Sequence, residues 1–419
     1  MNISKISWQN ILNKKMNSFL CVLLMTLGIA IISLLVILSK QLQEKFSKNI
    51  SGIDMVVGAK GSPLQLILSS IYQIDSPTGN VYLKDVQEIA QNPLVKEMIP
   101  LSMGDNYQGF RIVGTNKKYL EHFKAKPAQG QLFKKPMECV VGSLAAQNLG
   151  LKIGDTFSGS HGLDAEGEKH DHENYKIVGI LEFNNSVVDN LILTDLKSVW
   201  KIHEHSEAPA IEAETTEKHE HHEGEEHHEE EENAELDKRE ITSAIVKFRS
   251  PMGMMTMPRN INQNSKLQAA VPAIEVNRML ELLGIGVEAL RILAFVIMLI
   301  SGISVFVSLY NSLKERKYEM ALMLSMGATR TRLFLLLLLE GVILSIIGYL
   351  LGILLSRIGL LLISGQLGKK FHFDISQISF QPEEIYLFAV ALLVGILAAA
   401  IPSLGIYRLN ISRTLADES

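Results

Sequence analysis

The sequence predicts an α-helical membrane protein with four transmembrane helices and one extracytoplasmic α+β domain between the first and second. Three observations predict it. Apolar residues are gathered into four blocks long enough to cross a bilayer, the short flanks of those blocks are basic on one side, and the stretch after the first block mixes strand and helix patterns. At 419 residues with 47% hydrophobic content, the chain is too long for one simple domain. The net charge of -5 averages two unlike regions, because acid is concentrated between Glu204 and Glu240 while the ends are basic. Nucleic acid is therefore not an expected partner.

The order of elements begins with residues 1–17. Ile3, Ile6, Trp8, Ile11 and Leu12 alternate with polar residues at a spacing that fits an amphipathic helix along the inner membrane face, although an ordinary juxtamembrane flank reads the same way. A helix rises about 1.5 Å per residue, so a hydrocarbon core of roughly 30 Å needs about 20 apolar residues. Residues 18–39, 287–310, 333–363 and 384–406 qualify, and the third is long enough to tilt or project. The first run resembles a signal peptide in its basic start, but no small-residue cleavage site follows it, so it reads as a retained anchor.

Lys5, Lys14 and Lys15 precede the first span, Lys314, Arg316, Lys317, Arg330 and Arg332 lie in the 311–332 segment, and Arg408 and Arg413 lie in the 407–419 tail. By the positive-inside rule all three face the cytoplasm, with Lys369 and Lys370 in the 364–383 external loop a minor exception. Residues 40–286 then form the outer domain. Within it GIDMVVG (52–58), FRIVG (110–114) and YKIVG (175–179) read as strands closed by glycine, Leu83 to Ala90 and Ser143 to Leu149 read as helices, and Gly154-Asp155 and Asn184-Asn185 mark turns. Cys21 lies in an apolar block and Cys139 in the polar domain, so no disulfide framework is available.

Met252, Met254, Met255 and Met257 cluster just before the chain returns to the membrane. Thioethers bind soft copper(I), but methionine more often fills adaptable apolar contacts. Histidine is the sharper feature. His161, His170 and His172 form one tract, and His203, His205, His219, His221, His222, His227 and His228 form a second. The second is interleaved with glutamates and nearly free of apolar side chains, so residues 201–240 read as a disordered His/Glu-rich loop. Imidazole with carboxylate suits labile Zn2+ or a similar divalent ion, and a solvated acidic spacer is the alternative.

The segment LKERKYEMALMLSMGATRTRLFLLLLLEGVILSIIGYLLG (313–352) resembles the MacB/FtsX/lipoprotein-release family of ABC permeases, through Arg316, Lys317, Glu319, Gly327, Ala328, Thr329, Arg330 and Glu340. CVVGSLAAQNLGLKIGDTF (139–157) and YKIVGIL (175–181) resemble the periplasmic core domain of that family, and Pro402 with Arg408 fits its tail. The histidine tracts look like insertions.

The resemblance implies an inner-membrane permease that works by mechanotransmission, with two permeases and two separate ATPases that bind the ATP. It implies ATPase docking on Lys314 to Arg332, with Met320, Ala321, Met323, Leu324 and Met326 as an apolar face beside the charges. No nucleotide-binding motif appears: GAKGS (58–62) lacks the P-loop spacing.

Glu340 inside a span reads either as a transmission or packing contact, or as a shallow group near the headgroups. The spans otherwise carry no line of ionisable residues. Three functions stay open: handling of zinc or another divalent metal, export of lipoproteins or hydrophobic compounds, and activation of an outer enzyme such as a wall hydrolase through a periplasmic partner.

Overall fold

Among the described residues, four helices have the length and hydropathy to cross a membrane. The computed structural model describes residues 3–13, 15–162, 173–204, 239–371 and 381–408. The helices are α1 (Ile3–Asn13), α2 (Lys15–Ile50), α3 (Pro63–Ile67), α4 (Leu83–Ala90), α5 (Lys117–His122), α6 (Ser143–Leu149), α7 (Leu196–Glu204), α8 (Pro251–Asn264), α9 (Pro272–Glu315), α10 (Lys317–Ser325), α11 (Arg330–Phe371) and α12 (Glu383–Ser403). The chain divides into one unit of Met1–Gln43 with Glu281–Ser419 and another of Glu44–Leu280. Helices α2 and α9 run unbroken through that division.

The first unit is a bundle of α1, the spanning parts of α2, α9 and α11, and α12. Between apolar helices in lipid, close packing replaces the hydrophobic effect as the cohesive force, and small residues allow it. A Cβ built on Gly352 would lie 2.8 Å from both Cβ and Cγ2 of Ile29, and one on Gly348 would lie 2.7 Å from Cγ of Met25. Helix α11 thus meets α2 with no room for a methyl group. The remaining apolar side chains face outward, among them Phe19, Leu293, Leu350 and Leu397, as a lipid-covered bundle requires.

The second unit is built on a mixed sheet. Its strands are β1 (Met55–Ala59), β2 (Val81–Tyr82), β3 (Val95–Tyr107), β4 (Phe110–Thr115), β5 (Pro127–Gly130), β6 (Glu138–Val141), β7 (Thr156–Phe157), β8 (Ser160–His161), β9 (Tyr175–Leu181), β10 (Ile192–Asp195), β11 (Glu240–Ile241), β12 (Ser243–Phe248) and β13 (Leu267–Ala270). The order is β13-β1-β12-β3-β4-β10-β6-β9-β5, with β7 on β9, β8 on β3, and β2 and β11 pairing separately.

Strand β3 joins two halves. In one, β1 pairs antiparallel with β12 and β13, and Met55, Val57, Val246, Ile261 and Leu267 form the core with Val86 of α4. In the other, β4 and β10 run parallel, as do β6 and β9, and Ile112, Cys139, Tyr175, Ile177 and Ile192 pack with Ala145 of α6.

The glycine-ended runs become β1, β4 and β9, and the two helical patterns become α4 and α6. Every residue of β4 is buried, including Arg111, because helices or strands cover both faces. Burial lowers the Arg111 guanidinium to about 10, with Asp75 opposing the shift. The methionines divide: Met257 is buried in the core of the first half and Met254 packs against it, whereas Met252 and Met255 are exposed.

Candidate coupling site

The turn between α9 and α11 is folded back onto its own bundle. Arg316 breaks the helix, α10 follows, and Gly327 then takes a left-handed backbone (φ 93°) that an L side chain rarely adopts. That turn is closed by Ala328 N–H donating to the Met323 carbonyl at 2.9 Å. Thr329 starts α11, its carbonyl accepting from the N–H of Arg332 at 3.0 Å. Glycine, alanine and threonine in this order thus make a stop, a turn and a start.

The charged residues expected at the docking site have distinct surroundings. Arg316 Nε donates to Glu319 Oε2 at 2.6 Å one helical turn away. Arg330 Nη1 donates to the carbonyl of Tyr407, tying the start of α11 to the end of the fourth span. Lys314, Lys317 and Arg332 are exposed.

The apolar side chains differ from expectation. Met320 and Ala321 are buried, and Met320, Met323 and Leu324 pack with Leu313, Leu333, Leu336 and Ile406 inside the bundle end. Met326 of the expected face is exposed, and Tyr318 and Leu322, outside that face, are exposed with it at i, i+4 and i+8. The helical period was readable in sequence, but not its phase, because a short helix between two turns can present either face inward.

Glu340 makes a packing contact with α1. It is 3% exposed, and its Oε1 accepts from Asn10 Nδ2 at 2.6 Å. Ser7 Oγ donates to the Leu336 carbonyl one turn earlier, so α1 is stitched to α11.

A second polar cluster lies between the helices, and its two ionisable side chains form a pair. Arg357 Nη2 reaches Glu384 Oε2 at 2.8 Å, with Glu384 1% exposed. Ser33 Oγ donates to Glu384 Oε1 at 2.7 Å and lies 3.0 Å from Ser356 Oγ, and Tyr349 donates to the Glu384 carbonyl. The cluster joins α2, α11 and α12. The signal for it was a lone arginine in a long apolar run with a carboxylate opening the next span.

In the outer domain the last turns of α2 are bonded into the fold. The Phe46 carbonyl accepts from Tyr72 OH at 2.8 Å, Asn49 Oδ1 accepts from Val187 N–H at 3.0 Å, and Lys48 Nζ donates to the Asn184 carbonyl at 2.6 Å. Asp189 fixes that loop, accepting from the N–H groups of Asn184 and Ser186 and from Ser143 Oγ.

The histidines lie mostly elsewhere. His161 is in β8, opposite Asp105, and His203 is in α7. His170, His172, His205, His219, His221, His222, His227 and His228 lie outside the described residues. Among the described residues no three histidine, cysteine or acidic side chains are placed to hold a metal. The chain on either side of the two tracts converges. Lys201 Nζ meets Glu173 Oε1 at 2.7 Å, Trp200 Nε1 donates to the Glu240 carbonyl at 2.7 Å, and the Arg239 guanidinium lies 4.8 Å from the Trp200 ring centroid.

Among the described residues, four apolar helices, a mixed α/β domain between the first two and a Gly-Ala-Thr turn between the second and third have the make-up of a membrane protein. The MacB-like periplasmic core domain matches residues 18–220, and the FtsX-like permease C-terminal domain matches residues 291–411. Through these two domains the chain is similar to the MacB/FtsX-like ABC transporter permeases.

Among solved structures, the periplasmic region of MacB from Actinobacillus actinomycetemcomitans is similar at 11% identity and a TM-score of 0.33, over 57% of this chain and 98% of that one. The extracellular domain of the ABC-type transporter YknZ from Gram-positive bacteria is similar at 11% identity and a TM-score of 0.29, over 52% and 98%. No curated protein matches the chain.

Proposed function

We propose that this permease couples ATP hydrolysis by a separate cytoplasmic ABC ATPase to movement of its outer domain, working as a homodimer with both termini in the cytoplasm. The observation that carries the reading is the two-sided character of α10. One face is built into the bundle through Met320 and Ala321, while Tyr318, Leu322 and Met326 stand exposed beside Lys314, Lys317 and Arg332. An apolar stripe rimmed by cations fits an acidic-edged hydrophobic groove. Arg316 and Glu319 hold the helix start in shape, Gly327, Ala328 and Thr329 set its exit, and Lys317 supplies the steering charge. A push on α10 reaches α11 through that turn, and the bonded end of α2 delivers motion to the outer domain.

The test is ATPase activity that co-purifies with the tagged full-length chain from native membranes. Leu322→Asp and Lys317→Glu together are expected to lower it at least tenfold, and unchanged activity would refute the docking face. Arg316→Gln separates the roles, since a helix-shaping residue lowers the yield of folded permease along with the activity.

The second reading concerns substrate. Ten histidines in two acidic tracts whose flanking chain converges support handling of divalent zinc at the outer domain. Imidazole ligands must be neutral, so binding weakens as pH falls below about 6.5. Calorimetric zinc titration of the full chain against a version lacking residues 205–238 tests this. Equal heats from both would return the substrate question to lipoproteins, hydrophobic compounds or activation of an envelope enzyme.

A further inference from the structure

Helix α1 has two faces with different jobs. Toward the bundle it presents Ser7, which is fully buried, Ile6 and Ile11, which join core clusters, and Asn10, bonded to Glu340. The opposite face carries Lys5, Trp8 and Leu12 at i, i+3 and i+7, all exposed, with Trp8 and Leu12 each 48% exposed. Lys15 and Met16 continue the exposed surface at the start of α2, and Met16 is 80% exposed. Ser18 Oγ donates to the Ile11 carbonyl at 3.1 Å and fixes the elbow between the two helices. The helix therefore cannot roll to hide its aromatic ring without breaking the Ser7 and Asn10 bonds.

From this we infer that the outer face of α1 is a docking surface for anionic phospholipid headgroups, held at fixed orientation by its polar seam with α11. The occupant follows from chemistry. Trp8 and Leu12 suit the boundary between headgroup and acyl chain, and a lysine at each end of the stripe, with Lys14 adjacent in sequence, complements a negative surface. The helix directly precedes α2 in the chain and is bonded to α11, which places it beside the bundle. The inference depends on the permease reading only for the presence of a bilayer around the bundle. Each basic residue near an anionic surface contributes about fivefold to attachment, corresponding to about 1 kcal/mol.

The test uses the full chain with Trp200→Phe, which leaves Trp8 as the one tryptophan. The protein is placed in nanodiscs in which every lipid carries brominated acyl chains, phosphatidylcholine alone or equimolar with phosphatidylglycerol, so that bromine density is the same in both. Bromine quenching of Trp8 is expected to be stronger in the anionic discs, and Lys5→Gln, Lys14→Gln and Lys15→Gln together should bring it down to the neutral level, as should high salt. Equal quenching in both lipids would overturn the anionic preference. Quenching by aqueous iodide alone would show a solvated face, and protection from both quenchers a face covered by a second copy; either overturns the proposal. No ATPase is present in this assay, so loss of the α10 docking reading leaves its outcome unchanged.

Discussion

Breaking the Arg357–Glu384 pair on one side only should cost far more than replacing both partners. Glu384 is 1% exposed and accepts from Arg357, from Ser33 and from the Gln381 N–H, while the Arg357 side chain is 14% exposed. Arg357→Met leaves a carboxylate in an apolar bundle with only neutral donors, and Glu384→Gln leaves a guanidinium with a neutral amide. Removing one partner of a buried pair costs about 3–5 kcal/mol, whereas replacing both by packed neutral groups ranges from neutral to stabilising. The hydrogen bonds from Ser33 and Gln381 survive Arg357→Met, which places that variant near the lower end, about 3 kcal/mol. The double variant should return to within about 1 kcal/mol of wild type, a coupling of about 5 kcal/mol. Unfolding in mixed micelles at rising fraction of denaturing detergent, followed by circular dichroism, reads all four states. Additive single effects, or singles below about 0.5 kcal/mol, would show that the charges are screened and the reasoning is wrong.

Two further outcomes follow from geometry. Burial, helped by Lys247 and opposed by Glu97, holds the His122 imidazole at about 4 against an ordinary 6.5. The folded domain therefore favours the neutral ring. Its contribution is full above about pH 6.5 and is lost as pH falls toward 4, so unfolding of His122→Asn should show a flatter pH profile across that window. At Gly352, where an added Cβ would lie 2.8 Å from Ile29, alanine should destabilise the bundle by about 1–3 kcal/mol, and the second change Ile29→Ala should relieve part of it. Independent effects of the two changes in the same detergent titration would show that α2 and α11 have room to part.

What could be read from the sequence was local. The apolar blocks announce the bundle helices because composition alone decides burial in lipid, and β1, β4, β9, α4 and α6 carry their own periodicity and stop signals. Strand β3 was not legible, since Ser102, Asp105 and Asn106 are buried within it and only the neighbouring strands make those positions extended. The outer polar cluster was missed for a related reason. Arg357 and Glu384 are each visible in the sequence, yet which helices bring them together is a tertiary fact. At the coupling turn the charges, Gly327 and the helix were readable, but the buried side of α10 was set by contacts with Leu313, Leu333 and Ile406, and Met320, Ala321, Met323 and Leu324 turn inward while Met326 stays exposed.

The register Met55↔Val246 and Val56↔Ala270 has a consequence for synthesis. Strand β1 must wait for partners about 200 residues downstream, a contact order of the slow-folding kind. During that interval its edge stays open, and the domain cannot close until nearly all of it has left the ribosome. Once such a long loop must be closed anyway, lengthening it is cheap, because each doubling adds only about 0.6 kcal/mol. A chain with this topology can acquire a tract such as 205–238 between α7 and β11 with little loss of stability, which leaves the composition of that tract open to selection for what it binds.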